Sequence, residues 1–244
     1  MKKLILSAPA KVNLFLHVTE RRDDGYHLLD SLVAFTEFGD ELTLSPAGTL
    51  SFSCDGPYAQ EIDSTKNHIL TAMQLFSDHC KTPTDLSIHL KKNIPVGAGL
   101  GGGSADAAAA LRGLAQFWNT APPEKTLHEI ALSIGADVPV CLTSRTSQMQ
   151  GIGESLTPKQ LPRLYLLLIN TGDFIATKNI FANLELPHGR SVLEIPDLPT
   201  YDDAITFLNM LQNDLTKPAS HLHPHITQAL CALKDIDTCD LARM

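Results

Sequence analysis

The sequence has no surplus of positive charge. Nineteen Lys and Arg stand against 27 Asp and Glu, a formal net charge of −8, whereas a nucleic-acid binder needs a basic face to neutralise phosphates. An anionic ligand would have to be met by a local positive feature. Long apolar runs are missing too, and nothing approaches the about 18 uninterrupted residues of a membrane span. The start, MKKLILSAPAK, imitates a secretory leader, but its apolar stretch Leu4-Ile5-Leu6 falls short of the ~7–15 residues such a leader needs. The five cysteines, Cys54, Cys80, Cys141, Cys231 and Cys239, include no C-x-x-C pair, which fits a reducing compartment better than a disulfide framework. Internal repeats and low-complexity tracts are absent. Together these absences predict a soluble cytoplasmic protein with neither nucleic-acid nor membrane partners.

What is present is ordinary globular material. The 244 residues are 43% apolar with a mean hydropathy near zero, enough for one large domain or two ordinary ones. Leu4–Leu6 and Val12–Val18 read as strands, with Val12, Leu14, Leu16 and Val18 on one face and Lys11, Asn13, Phe15 and His17 on the other. Asp24-Gly25 marks a turn, and residues 40–56 read as a hairpin. Helical spacing covers 66–80, and LSIHL (86–90) alternates as a strand. A helix is expected after Ser104 and another over 124–134, with Gly135 as a left-handed cap. Val138–Leu142 reads as a short apolar strand. The pattern lapses over 156–163, which sets a domain boundary at 157/158, and YLLLIN (165–170) reads as a buried strand. Strands and helices alternate throughout, so the class is α/β or α+β.

The chemistry concentrates in PVGAGLGGGSADAAAAL, residues 95–111. Gly97-Ala98-Gly99-Leu100-Gly101-Gly102 satisfies G-x-G-x-x-G, yet the dinucleotide fold needs an acidic residue closing a second strand ~20 positions on. Glu124 stands there, but it follows Pro122-Pro123 and opens a helix. A Walker A loop needs a lysine after the glycines, and Ser104 follows Gly103 instead. What remains is the physics common to both: side-chain-free backbone converging its N–H groups on phosphate, with the positive end of a helix behind it. Ser104 can cap that helix and offer a hydroxyl to phosphate or Mg²⁺.

Spacing alone leaves several residues open. Lys11 and Asn13 share a strand face, which suits two groups aimed at one ligand but equally a surface lysine on an edge. Asp137 is a turn aspartate or a catalytic carboxylate; past the end of the 124–134 helix it would meet the negative dipole end, a misplacement worth ~0.3–1 kcal/mol. Tyr26 and His27 follow the turn. Asn67 heads a helix as a cap would, and Phe181 alone reads as core. His221, His223 and His225 alternate around Pro224 without a cysteine or carboxylate set, which favours a solvated loop over a metal site.

Four blocks in order then carry a resemblance. APAKVNLFLHV and PVGAGLGGGSADAA resemble the first and second signatures of the GHMP kinases, the galactose, homoserine, mevalonate and phosphomevalonate kinase superfamily. DDGYHLL and IGADVPVCL narrow the resemblance to the branch acting on 4-diphosphocytidyl-2-C-methyl-D-erythritol, in the non-mevalonate route to isoprenoid precursors. The likeness runs from residue 7 to about 215.

The resemblance implies an α+β chain with a ribosomal-protein-S5-like N-terminal domain (1–157), a ferredoxin-like C-terminal domain (158–244) and the site in the cleft. It implies an ATP- and Mg²⁺-dependent small-molecule kinase. Lys11 and Asp137 become the catalytic pair, Asp137 deprotonating or orienting the acceptor hydroxyl and Lys11 stabilising it. Pro95, Val96, Gly97, Ala98, Gly99, Leu100, Gly101, Gly102, Gly103, Ser104 and Ala105 hold ATP, with Asn67 near the adenine and Ser104 a candidate Mg²⁺ contact. Asn13, Tyr26, His27, Thr177 and Phe181 contact the acceptor, Tyr26 and Phe181 by stacking on cytosine.

The family's third signature, a second glycine-rich stretch near the C-terminus, has only its lead-in here, Leu241-Ala242-Arg243-Met244. The loop and final strand do not follow in this sequence, which reads either as a truncated C-terminal domain or as a natural variant. That keeps two other readings in play: a different GHMP kinase acting on a sugar or amino alcohol, and a catalytically silent nucleotide-binding module. A dinucleotide oxidoreductase is the third.

Overall fold

Strand β1 (Leu4–Arg21) is continuous where the sequence predicts two pieces. Pro9 lies within it, and the neighbouring strand β2 (His27–Pro46) carries Gly39 beside it. A Cβ on Gly39 would press on the Ala8 carbonyl oxygen and sit 2.7 Å from the Pro9 Cα, so only glycine lets the strands approach there. The computed structural model describes residues 3–173, 176–185 and 191–244. They form two packing units, Met1–Lys11 with Phe35–Ser144, and Val12–Ala34 with Arg145–Met244. Each unit takes two stretches of chain because β1 and β2 run through both, whereas a boundary at 157/158 is a single cut.

In the first unit the C-terminal half of β2 pairs antiparallel with β4 (Leu86–Lys91), which pairs in parallel with β3 (Ser51–Asp55). The hairpin expected over 40–56 therefore does not form, since β4 lies between its two arms. Helix α1 (His68–Cys80) starts two residues inside the expected 66–80 span, capped by Asn67. Helix α2 (Gly102–Phe117) begins two residues before Ser104. Its alanines favour the helix and take little room; Ala105 and Ala107–Ala110 are buried. A Cβ on Gly113 would meet Leu44 Cδ1 at 2.9 Å and Leu6 Cδ2 at 3.1 Å, so α2 lies directly against β1 and β2.

Helix α3 (Glu124–Ile134) keeps its expected bounds, but Gly135 is extended (φ 175°, ψ 154°) rather than left-handed. Val138–Thr143 is a helix, α4, not a strand. A short apolar run reads either way by pattern, and Pro139 in the first turn favours helix.

In the second unit the N-terminal half of β2 pairs with β5 (Ser147–Gly151), which pairs with β6 (Ser155–Pro158), both antiparallel. Residues 212–214 lie alongside β1: Leu16 N–H donates to Gln212 O (3.2 Å), Asp214 N–H donates to Leu16 O (2.8 Å), and Val18 N–H donates to the Asp214 carboxylate (2.8 Å). Helices α5 (Thr177–Ala182), α6 (Tyr201–Asn209), α7 (Thr216–Leu222) and α8 (Pro224–Lys234) complete it. Ile180, Leu215, Ala219 and Ile226 pack on Leu16 and Val18. Among the described residues no strand follows β6. YLLLIN is thus neither strand nor buried, and Tyr165 and Leu167 are 83% and 65% exposed. The class is α+β, and among the described residues no helix is long and apolar enough to cross a membrane.

Candidate active site

The glycine loop is held at its start and its middle. Val96 N–H donates to Glu61 Oε2 (3.2 Å), and Lys11 N–H donates to Leu100 O (2.9 Å). Gly97, Gly99 and Gly101 take left-handed φ of 73°, 73° and 64°, a region costly for residues with a Cβ. A Cβ on Gly99 would meet nothing within 4 Å, so this turn of the cradle faces open space. Gly101 caps α2, and the first-turn N–H groups of Gly102, Gly103 and Ser104 have no acceptor within the helix. Backbone donors and the positive helix end thus coincide, a fit to a triphosphate. Ser104 stands in that first turn, an oxygen donor of the kind Mg²⁺ takes.

Lys11 is not a surface lysine. Its residue is 2% exposed, and its ammonium lies 3.3 Å from Asp137 Oδ1, the carboxylate side chain being 39% exposed. A Cβ on Gly101 would sit 3.2 Å from Lys11 Cβ and 3.3 Å from its Cε. The lysine therefore lies against the glycine loop and reaches the aspartate. Asp137 stands three residues past the end of α3, as expected from the sequence, and also occupies the cap position of α4 without capping through its side chain. The positive end of α4 thus counters the dipole misplacement argued from the sequence.

Asn67 uses its side chain on its own helix, Oδ1 accepting from Leu70 N–H (3.0 Å) and Nδ2 donating to Asp63 O (2.9 Å). The next residue, His68, would meet a Cβ on Gly103 at 3.2 Å through Nδ1, so this helix start adjoins the glycine loop.

The acceptor residues expected from the sequence lie in the second unit. Tyr26 is 58% exposed and closes a turn in which its N–H donates to Asp24 Oδ1 (3.1 Å) and its carbonyl accepts from Arg22 N–H (2.8 Å). His27 and Phe181 stack on each other with centroids 4.9 Å apart and 28° between planes. Burial, with Arg21 adding to it, lowers the His27 pKa from its ordinary value. Phe181 also packs on the Leu16–Val18 cluster. Thr177 opens α5 and is exposed. Asn13 Oδ1 accepts a long 3.4 Å contact from the Ser31 hydroxyl. His225 pairs with Asp173 at 3.0 Å.

Sequence reasoning missed two groups behind the loop. Lys92, 1% exposed, donates to Asp40 Oδ2 (2.5 Å) and Asp106 Oδ2 (2.7 Å), and Asp40 Oδ1 accepts from Asn93 and Ile94 N–H (2.6 and 2.8 Å). Burial pushes the Asp106 carboxyl up to about 7, Lys92 pulling down and Asp40 pushing up. Its Oδ1 is buried with no hydrogen-bond partner. The signal was an aspartate inside an alanine run. The second group is Arg112 on α2, which donates to the carbonyls of Cys141 and Ser7.

Comparison with known proteins shows which family the chain is similar to. The family GHMP kinases N terminal domain matches residues 67–145. The chain is 44% identical over 247 residues to the 4-diphosphocytidyl-2-C-methyl-D-erythritol kinase of Paramagnetospirillum magneticum, covering 100% of this chain and 86% of the relative. It is 42% identical to the one from Bradyrhizobium diazoefficiens, again over 100% and 86%. The crystal structure of a 4-(cytidine 5'-diphospho)-2C-methyl-D-erythritol kinase matches with a TM-score of 0.72 and 34% identity, covering 95% of this chain and 82% of that one. The chain belongs to the 4-diphosphocytidyl-2-C-methyl-D-erythritol kinase family of the GHMP kinases.

Proposed function

We propose that the chain transfers a phosphoryl group from Mg²⁺-bound ATP to the 2-hydroxyl of 4-diphosphocytidyl-2-C-methyl-D-erythritol. The observation that carries this reading is the Lys11–Asp137 pair, 3.3 Å apart with the lysine against Gly101 of the loop. Phosphoryl transfer to an alcohol asks for a carboxylate at the hydroxyl and positive charge at the phosphate, with positioning doing most of the work. Asp137 accepts or orients the hydroxyl proton, and Lys11 stabilises the charge that develops. The loop from Pro95 to Ala105 cradles the triphosphate through its N–H groups, with Asn67 at the adenine. Mg²⁺ would be held by the Ser104 hydroxyl and the phosphates, and when bound it neutralises their charge. Asn13, Tyr26, His27, Thr177 and Phe181 recognise the acceptor. Along the chain, 1–157 supplies the nucleotide site and 158–244 part of the acceptor's. The free cysteines support a cytoplasmic setting, and the net charge of −8 speaks against nucleic-acid partners.

The test is ADP release by this chain with Mg²⁺ present and omitted, offering the cytidyl substrate, homoserine, mevalonate and galactose in turn. Release is expected only with the cytidyl compound and Mg²⁺, and Asp137→Asn is expected to lower it by about 10²–10⁴-fold. No preference for the cytidyl compound would overturn the acceptor. Calorimetric ATP binding without release on any acceptor would favour a silent nucleotide-binding module.

A further inference from the structure

Arg112 spends its guanidinium entirely on main chain, and on two separate stretches of it. Nη1 donates to Cys141 O (2.7 Å) and, at 3.3 Å, to Leu142 O, while Nη2 donates to Ser7 O (2.8 Å). The first two carbonyls end α4, where a helix leaves its last acceptors unpaired and favours a cation. The third belongs to β1. Ser7 stands four positions before Lys11, and Cys141 four positions after Asp137.

One planar fork therefore ties together the backbone that delivers the lysine and the backbone that delivers the aspartate. Burial lowers the Arg112 pKa, yet a guanidinium remains charged at any working pH. The residue lies ten positions beyond Gly102 on α2, about 15 Å along the helix axis, so it cannot itself touch a phosphate held at the helix start.

We propose that Arg112 is a positioning residue that sets the separation of the Lys11 ammonium and the Asp137 carboxylate by clamping β1 to the end of α4. This rests on reading Lys11 and Asp137 as the catalytic pair. The clamp acts on the pair and not on the ligands, so its loss should strike turnover and spare binding. Misplacement of reacting groups by about 1 Å can cost on the order of 10²-fold in rate. A lysine keeps the charge but has no fork, and spans one of the two stretches at most.

The experiment compares the full chain with Arg112→Met, Arg112→Lys, Lys11→Met and Asp137→Asn. It reads kcat and both KM values by ADP release with the cytidyl acceptor, alongside the thermal midpoint. Arg112→Met is expected to lower kcat by about tenfold or more with each KM held within about twofold. Arg112→Lys is expected to recover only part of that loss. An Arg112→Met protein that stays folded with wild-type kcat, or that raises KM at unchanged kcat, overturns the proposal. If Arg112→Met does not fold at the assay temperature, Arg112→Lys decides alone, and wild-type kcat in it overturns the clamp. Wild-type rates in Lys11→Met and Asp137→Asn would sink the reading of the pair instead. A readout that needs no turnover is the crystal structure of Arg112→Lys. A Lys11–Asp137 separation widened beyond 3.3 Å supports the clamp, and an unchanged one overturns it.

Discussion

Gly101 and Lys11 are packed so closely that a Cβ on the glycine would stand 3.2 Å from the lysine Cβ. The same glycine holds φ of 64° at the cap of α2, so two independent constraints meet at one position. Gly101→Ala should cost about 1–2 kcal/mol from the left-handed backbone alone. It should also push the Lys11 side chain by a few tenths of an ångström. The expected outcome is a lowered thermal midpoint together with a kcat loss larger than at Gly99→Ala, where a Cβ meets nothing within 4 Å. Equal kinetic losses at the two positions would show that only backbone conformation matters and that the contact with Lys11 is idle.

Asn67 has two candidate duties that one pair of variants separates. As a helix cap accepting from Leu70 N–H it is replaceable by serine, whereas alanine should cost about 0.5–2 kcal/mol. As a contact to adenine it is replaceable by neither. Asn67→Ala should therefore lower the midpoint, by about 2–4 °C for each kcal/mol in a chain of this size, and Asn67→Ser should restore it. If both variants raise the KM for ATP, the amide serves the nucleotide. Recovery of KM by serine would reduce Asn67 to a cap.

Local structure was legible where pattern and punctuation agreed, as in α3 between Pro123 and Gly135 or α1 behind Asn67. It failed where a partner distant in sequence decided the outcome. The 40–56 hairpin is undone by β4, which arrives about thirty residues later in the chain, and β1 runs on through Pro9 with Gly39 of β2 packed against it. Val138–Thr143 shows the limit of short apolar runs, which burial on all sides makes equally good as helix or strand. The candidate site was readable because Lys11, the loop and Asp137 are marked by their own motifs. Its supports were not, since Asp40 and Lys92 meet across 52 residues and Arg112 reaches Ser7 across 105.

Phe181 and His27 form the stacked pair of the second unit, 4.9 Å apart. Stacking of a base on an aromatic ring is worth about 1–3 kcal/mol. Phe181→Leu keeps most of the apolar contact with the Leu16–Val18 cluster and removes the ring, so stability should change little. The KM for the cytidyl acceptor should rise by about 5- to 150-fold, the range those energies convert to, while the KM for ATP stays put. A substitution that lowers the midpoint and leaves both KM values alone would make Phe181 a core residue only.

Asp106 couples the base of the loop to pH. Burial raises its carboxyl to about 7, from an ordinary 3.8, beside Lys92 and Asp40. A carboxyl with a higher pKa in the folded state binds more protons folded than unfolded between those two values. The stability this one carboxyl contributes then falls as pH rises from about 4 to about 7. With Asp106 ionised the buried trio carries two carboxylates against one ammonium; with Asp106 protonated that surplus negative charge is gone. An asparagine in place of Asp106 could still accept from Lys92 and would remove the surplus charge. The Asp106→Asn variant should therefore match or trail the wild type at pH 5 and exceed it in thermal midpoint at pH 8. The gain would be on the order of a few kcal/mol at most. Melting curves of both proteins across pH 5–8 check this, and parallel curves would mean that Asp106 does not titrate in that window.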